Sequence, residues 1–122
     1  MEMKKWLFLS VIVISCGKPM PDLSPLDLVQ WKEDKNGCQR FREQNISHLI
    51  NQLEELKGLS EKDIIELLGR PDRNELYKRN QKFYYYDVDP GKACADSIVE
   101  NQQLVLRFNA MGLAKEVTIE LL

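Results

Sequence analysis

The chain has 122 residues, with 17 basic and 19 acidic side chains and a net charge of −2. This length is enough for one domain with a single modest core. A mildly acidic balance without a basic stripe argues against nucleic-acid binding, and it gives no electrostatic reason for adhesion to anionic lipid.

The first fifteen residues have the form of an export signal. Lys4 and Lys5 form a basic start, and residues 6–14 are apolar apart from Ser10. This run is less than half of the roughly 20 apolar residues that a membrane-spanning helix needs. The sequence therefore predicts a cleaved signal peptide over residues 1–15. An ordinary signal peptide, or a buried apolar helix, that happens to contain a cysteine is the alternative.

The end of the apolar run reads VISCG at residues 13–17 and resembles the lipobox of bacterial lipoproteins. That resemblance implies cleavage after Ser15 and attachment of fatty acyl chains, palmitate among them, through Cys16. One chain anchors a protein only marginally, whereas two or more anchor it stably. Gly17, rather than an aspartate, follows the cysteine, and in lipoproteins resembling the enterobacterial ones this implies the outer membrane. We expect the protein at its periplasmic face.

Two cysteines remain when Cys16 carries lipid, and an exported compartment is oxidising. We expect Cys38 and Cys94 to form a disulfide, which the chain-entropy model values at about 4 kcal/mol. Two free buried thiols, or Cys94 bonded to another molecule, are the alternatives. Two cysteines and the distant His48 lack the clustered spacing of a zinc site, so no metal is expected, and no motif predicts a cofactor.

The mature chain begins with residues 16–25, rich in proline, glycine and polar residues, which predict a lipidated flexible tether. The single domain is predicted over residues 26–122. Residues 26–35 form a short helix or an irregular strap with Trp31 as its core residue, and Asn36-Gly37 marks a turn.

Two amphipathic helices follow. Apolar residues recur at three- and four-residue steps over residues 38–57, which predicts one long helix. Ser60 is a good N-cap for a second helix, which Gly69 and Pro71 end.

The periodicity then changes to that of strands. Residues 82–88, 104–108 and 117–121 are predicted strands, the last two joined as a hairpin through residues 110–112. An additional short strand beginning at Leu76, before the Arg79-Asn80 turn, is the alternative to a loop there. The resulting fold class is α+β, with two helices packed on one face of a three-stranded antiparallel sheet.

Two stretches carry a resemblance to a known family. Residues 59–72 read LSEKDIIELLGRPD, and residues 108–113 read FNAMGL. These are similar to the helix-to-strand corner and the hairpin of the SmpA/OmlA group of small outer-membrane lipoproteins, which includes the BamE subunit of the barrel-assembly machine. The resemblance covers about residues 56–119. It implies a fold shared with the β-lactamase inhibitor protein, and a partner in the outer-membrane barrel-assembly machinery.

The most unusual run is the four aromatic residues 83–86. A strand has two faces, so one aromatic pair packs under the helices and the other lies on the opposite face. Exposed tyrosines are favoured contact residues, and we assign Tyr84 and Tyr86 as the partner-binding pair. Burial of the tyrosines by the loop over residues 89–101 is the alternative.

Catalytic constellations are missing from the sequence. His48 has no nucleophile motif to serve, and it fits a residue at the solvent edge of a helix. We therefore expect a non-enzymatic, lipid-anchored envelope protein that binds a protein partner, with a role in outer-membrane protein assembly or envelope maintenance. A small envelope enzyme or ligand carrier is the alternative, and an apolar pocket between helices and sheet would favour it.

Overall fold

The computed structural model describes residues 18–122, which form three helices and one antiparallel sheet. The helices are α1 (Leu28–Glu33), α2 (Phe41–Ile50) and α3 (Glu61–Leu68). The strands are β1 (Arg73–Tyr77), β2 (Gln81–Asp87), β3 (Gln102–Phe108) and β4 (Ala114–Leu121), and they neighbour one another in chain order. Short 3₁₀ turns at Lys35–Gly37, Leu53–Leu56 and Lys78–Asn80 connect these elements. The predicted α+β class is confirmed. The segment predicted as a short helix or an irregular strap over residues 26–35 contains the helix α1, and the sheet has one strand more than the three predicted.

The helix α3 follows its sequence signals closely. Ser60 accepts a hydrogen bond from the Asp63 amide at 3.1 Å, as an N-cap does. Gly69 ends the helix with φ 82°, in the left-handed region that favours glycine. Ile64 and Leu68 on its inner side are fully buried. The prediction of this helix is confirmed.

The single long helix predicted over residues 38–57 is wrong, because the segment is interrupted at both ends. Arg40 lies in the left-handed conformation with φ 66°, so α2 begins only at Phe41. The Asp34 carboxylate accepts hydrogen bonds from the amides of Gln39 and Arg42 at 2.7 and 2.9 Å, which caps this late start. After Ile50 the chain turns into the separate 3₁₀ turn Leu53–Leu56.

The sheet contains a strand that the sequence indicated only weakly. β1 pairs with β2 from Arg73↔Tyr85 to Tyr77↔Gln81, and Leu76 lies inside it rather than at its start. All five of its residues are exposed because it is an edge strand, so it carries no alternating apolar pattern. The predicted three-stranded sheet is therefore a four-stranded one.

The core lies between the helices and one face of the sheet. Tyr84 and Tyr86 of β2 point to this face, together with Leu104 and Leu106 of β3. The helices and turns contribute the residues that cover them, which are Trp31, Leu49, Leu56, Leu59, Ile64, Leu67 and Leu68. No helix among residues 18–122 is both long and apolar enough to cross a membrane.

The predicted disulfide is confirmed. Cys38 and Cys94 are bonded with their Cα atoms 5.5 Å apart, which ties the loop after β2 to the turn before α2. Gly37 beside it allows a close approach, because a Cβ there would lie 2.7 Å from the Asp89 carbonyl oxygen. The loop and the turn therefore pack backbone to backbone.

The predicted signal peptide and the lipid-bearing Cys16 lie outside the described residues and stay predictions. Of the predicted tether, residues 18–25 are described, and they lie against the domain. Leu23 is 1% exposed and belongs to the core, and Lys18 contacts the end of the Leu53–Leu56 turn.

Candidate functional site

The assignment of Tyr84 and Tyr86 as partner-binding residues is wrong, because both are buried. They are 6% and 0% exposed, since the pleat of β2 directs them towards the helices. The Tyr84 hydroxyl donates to Glu61 Oε1 at 2.8 Å, and the Tyr86 hydroxyl donates to the Gly69 carbonyl at 2.7 Å. These two tyrosines join the sheet to the start and end of α3.

The opposite pair of the aromatic run lies on the other face of the sheet. Phe83 and Tyr85 are partly exposed there, and Tyr77 of the edge strand is 51% exposed. The Tyr77 and Phe83 ring centroids are 4.9 Å apart in an edge-to-face arrangement, and those of Phe83 and Tyr85 are 6.3 Å apart and nearly parallel. We call Tyr77, Phe83 and Tyr85 the aromatic face.

One carboxylate organises the hydroxyl groups of the aromatic face. Glu75 Oε1 accepts hydrogen bonds from the Tyr77 hydroxyl at 2.6 Å and the Tyr85 hydroxyl at 2.9 Å. The two bonds lower the pKa of Glu75, with a smaller effect from the positive charge of Arg73. Burial and the bond to Glu75 raise the pKa of Tyr85. Both phenols are therefore neutral donors at physiological pH, held in fixed directions.

Charged and polar side chains border the aromatic face. The Arg73 guanidinium lies 5.4 Å from the centre of the Tyr85 ring, within range of a cation–π interaction. Arg107 of β3 donates to Glu116 of β4 at 2.9 Å. This combination of ring faces, oriented hydroxyls and charged edges can bind another surface by stacking and hydrogen bonding.

An open groove continues the aromatic face towards the β1–β2 hairpin. It has a volume of about 540 Å³ and is lined by Tyr77, Arg79, Gln81 and Phe83. Arg79 lies in the hairpin turn with φ 65°, which directs the chain sharply back into β2. The groove is wide open to solvent, so it fits a side chain or segment of a partner better than an enclosed small ligand.

Sequence reasoning missed a buried polar cluster that lies under the corner between α3 and β1. Arg42 is 1% exposed and donates to Asp72 Oδ2 at 2.7 Å, to the Trp31 carbonyl at 2.9 Å and to the Asp87 carbonyl at 3.0 Å. Asp72 also accepts from the amides of Asn36 and Asp87, at 2.9 and 2.7 Å. The sequence gives no signal for this cluster, because arginine and aspartate side chains normally lie in solvent.

The other ionisable residues form no catalytic arrangement in the part of the chain that the structure describes. His48 lies in the last turn of α2 and is partly exposed. Within residues 18–122, no three histidine, cysteine, aspartate or glutamate side chains are grouped so that they could hold a metal ion. Asp87 is buried, and its carboxylate accepts a hydrogen bond from Asn101 at 2.9 Å. Its role is to fix the chain after β2.

These features define a class of protein, a small α+β domain with helices on one sheet face and aromatic side chains on the other. The family model described as the outer membrane protein assembly factor BamE domain matches residues 48–118, from the end of α2 to β4. The chain belongs to this BamE family, and the predicted resemblance is confirmed. Neither the curated proteins nor the solved structures contain a match. BamE-family proteins are outer-membrane-associated and act as non-enzymatic accessory proteins.

Proposed function

We propose that this protein is a lipid-anchored, non-enzymatic module of outer-membrane protein assembly that docks a protein partner through its aromatic face. The observation that carries the proposal is the placement of Tyr77, Phe83 and Tyr85 on the sheet face opposite the helices. The family supplies the process, because its model describes an outer-membrane protein assembly factor.

The chemistry of the aromatic face supports a protein partner. Aromatic residues and arginine are enriched in the centres of protein interfaces, where they provide large contact areas at a low cost in side-chain entropy. The rings of Phe83 and Tyr85 are already fixed against each other, and Glu75 already orients the hydroxyls. Little ordering is therefore needed on binding, which favours affinity.

The edge strand β1 adds to this surface. It is the first strand in the sheet order, and Leu76 on its core-side face is 66% exposed. An exposed edge strand offers backbone groups to an extended segment of a partner. The aromatic face and this edge together form one continuous surface for docking.

The interior of the domain supports binding of a partner over carriage of an apolar ligand. Trp31, Tyr86, Leu106 and Phe108 are all 0% exposed and fill the layer between the helices and the sheet. A carrier needs an apolar cavity of several hundred cubic ångströms for its ligand. Within residues 18–122, the large side chains available for contact with other molecules lie on the surface.

Lipid on Cys16 would hold this surface at the periplasmic face of the outer membrane. The support comes from the sequence, in which a basic start and a short apolar run precede a lipobox-like VISCG. Lipid anchoring would confine the protein and its membrane-embedded partners to one plane, which raises their effective concentration.

The proposal is tested by co-purification from intact envelopes of the native host after crosslinking. The double variant Phe83→Ser, Tyr85→Ser removes two rings of the aromatic face. Removing two hot-spot rings costs roughly 2 kcal/mol or more, so recovery of outer-membrane assembly subunits should fall by at least about tenfold. The matched control is Val29→Ser with Met111→Ser, because both side chains are well exposed, at 65% and 80%, on other surfaces.

Circular dichroism of both double variants establishes that they remain folded. Normal recovery of the assembly subunits with the aromatic variant would show that this face does not bind them. Equal loss with both double variants would also contradict the assignment, because the control leaves the aromatic face intact.

A further inference from the structure

We infer that the lipid anchor is held tightly to the β4 side of the domain, so that this side contacts the bilayer and the β1 edge is directed away from it. The inference deepens the proposed function and rests on the proposed acylation of Cys16. It concerns the segment over residues 18–26, which we call the strap, and the lipid headgroups of the leaflet that holds the anchor.

The first attachment of the strap is made by Lys18. Its Nζ atom donates to the carbonyl oxygens of Glu55 at 2.7 Å and Lys57 at 2.9 Å. These carbonyls lie at the end of the Leu53–Leu56 turn, where helical carbonyls lack a partner within the helix. The apolar stem of Lys18 lies over Gly58, with its Cδ atom 3.7 Å from the place a Cβ would occupy. The ammonium group therefore attaches Lys18 to the domain, and its stem runs past Gly58.

The second attachment follows within a few residues. Leu23 and Leu26 are 1% and 6% exposed and belong to the hydrophobic core. Gln52 donates from Nε2 to the carbonyls of Leu23 at 3.0 Å and Ser24 at 3.3 Å. Release of the strap would expose two leucines to water and leave these polar groups to find new partners. A loose tether over the same residues would form none of these contacts.

The strap leaves very little chain between the domain and the lipid. Cys16 is two residues before Lys18, and two extended residues span at most about 7 Å. The covalent chain therefore keeps the Cα atom of Cys16 within about 7 Å of the Lys18 Cα atom. Met20 in the strap is 41% exposed, and it provides an apolar side chain for the headgroup region beside the anchor.

The sheet register fixes which side of the domain is near the membrane. The Gly58 amide donates to the Ala114 carbonyl at 2.9 Å, which places the Lys18 site beside the start of β4. Ala114 pairs with Phe108, Phe108 with Lys82, and Lys82 with Leu76, so one row crosses all four strands. Three strand spacings make the row about 14 Å long. Leu76 and the β1 edge are therefore on the far side, open to a partner in the periplasm.

A quenching experiment tests this orientation. The acylated full chain carries a fluorophore on a single introduced cysteine, either Glu54→Cys near the strap or Leu76→Cys on β1. Both positions are exposed, with the Glu54 side chain at 79% and Leu76 at 66%. The protein is inserted in phosphatidylcholine vesicles that contain a nitroxide on the lipid headgroup. We expect severalfold stronger quenching of the fluorophore at position 54 than at position 76.

A flexible Gly-Ser segment inserted between Gly17 and Lys18 is the control, because it lengthens the link and leaves the strap contacts intact. We expect the quenching difference to disappear in that variant. Equal quenching at both positions without the insertion would overturn the inference. Intact mass spectrometry reports acylation separately, and a chain without acyl groups on Cys16 would overturn the anchor and this orientation together. If the acylated protein shows the quenching difference but recovers no assembly subunits in the co-purification, the proposed function alone is refuted.

Discussion

The buried guanidinium of Arg42 predicts a large effect of a single substitution. Arg42→Met keeps a long apolar stem but removes the donors to Asp72 Oδ2 and to the carbonyls of Trp31 and Asp87. Asp72 would retain its two amide donors but lose the positive charge in a site where both side chains are under 5% exposed. The Arg42→Met substitution would also remove the cation–π contact of the guanidinium with Trp31, whose ring centre is 4.9 Å away.

The size of the effect follows from these contacts. Removing one partner of a buried ion pair costs about 3–5 kcal/mol, because the remaining charge is left without compensation in a dry site. With an m-value of about 2 kcal/mol/M for urea, the unfolding midpoint should fall by roughly 2 M. An effect of this size removes a large part of the stability of a small domain.

The assay is urea unfolding of the unacylated chain with its disulfide intact, followed by circular dichroism. The control is Arg40→Met, because the Arg40–Glu43 pair is 59% and 41% exposed and such surface pairs contribute about 0.5 kcal/mol or less. A loss below about 1 kcal/mol for Arg42→Met, or equal losses for the two variants, would show that the buried Arg42–Asp72 pair does not stabilise the domain to this extent.

Three further predictions concern other parts of the fold. Replacing Cys38 and Cys94 together with alanine should lower the free energy of unfolding by about 4 kcal/mol in the chain-entropy model, measured by urea unfolding against the oxidised protein. A loss close to zero would contradict it. Ser60→Ala should cost about 1 kcal/mol in the same assay, because α3 loses its N-cap, and an unchanged midpoint would contradict that. Burial and the hydrogen bond to Glu61 raise the pKa of Tyr84 to about 12, so its contribution to stability is complete below pH 10 and is lost as the pH rises towards 12. Tyr84→Phe should weaken this pH dependence between pH 9 and 12, and an unchanged dependence would show that other groups cause it.

Much of the fold could be predicted because its signals are local. The α3 helix, its cap at Ser60 and its stop at Gly69 depend on residues adjacent in sequence, and the disulfide followed from counting cysteines in an exported chain. The extra strand β1 gave little signal, because an exposed edge strand has no need of alternating apolar residues. The interruption of the helix at Arg40 was missed because Asp34 caps α2 from outside the predicted helix, and this contact carries no periodic signal.

The sequence predicted that one aromatic pair of β2 would lie away from the helices, but the pair assigned to that face was the wrong one. The sequence showed that two aromatic pairs must lie on opposite faces of β2, but it gave no way to tell which face the helices cover. That choice depends on the register of β2 with β3, in which Tyr84 pairs with Leu106 and Tyr86 with Leu104 on the core side. The buried Arg42 was missed because an arginine within an amphipathic pattern normally lies in solvent.

Site-specific photo-crosslinking tests whether the aromatic face binds a protein partner of outer-membrane assembly. A photoreactive phenylalanine analogue is placed at Phe83 or, as a control, at the exposed Val29 of α1, and the cells are irradiated with intact envelopes. We predict a crosslink from position 83 to a subunit of the assembly machinery, identified by mass spectrometry, and none to it from position 29. A crosslink to that machinery from position 29 alone, or from neither position, would show that the aromatic face does not bind it.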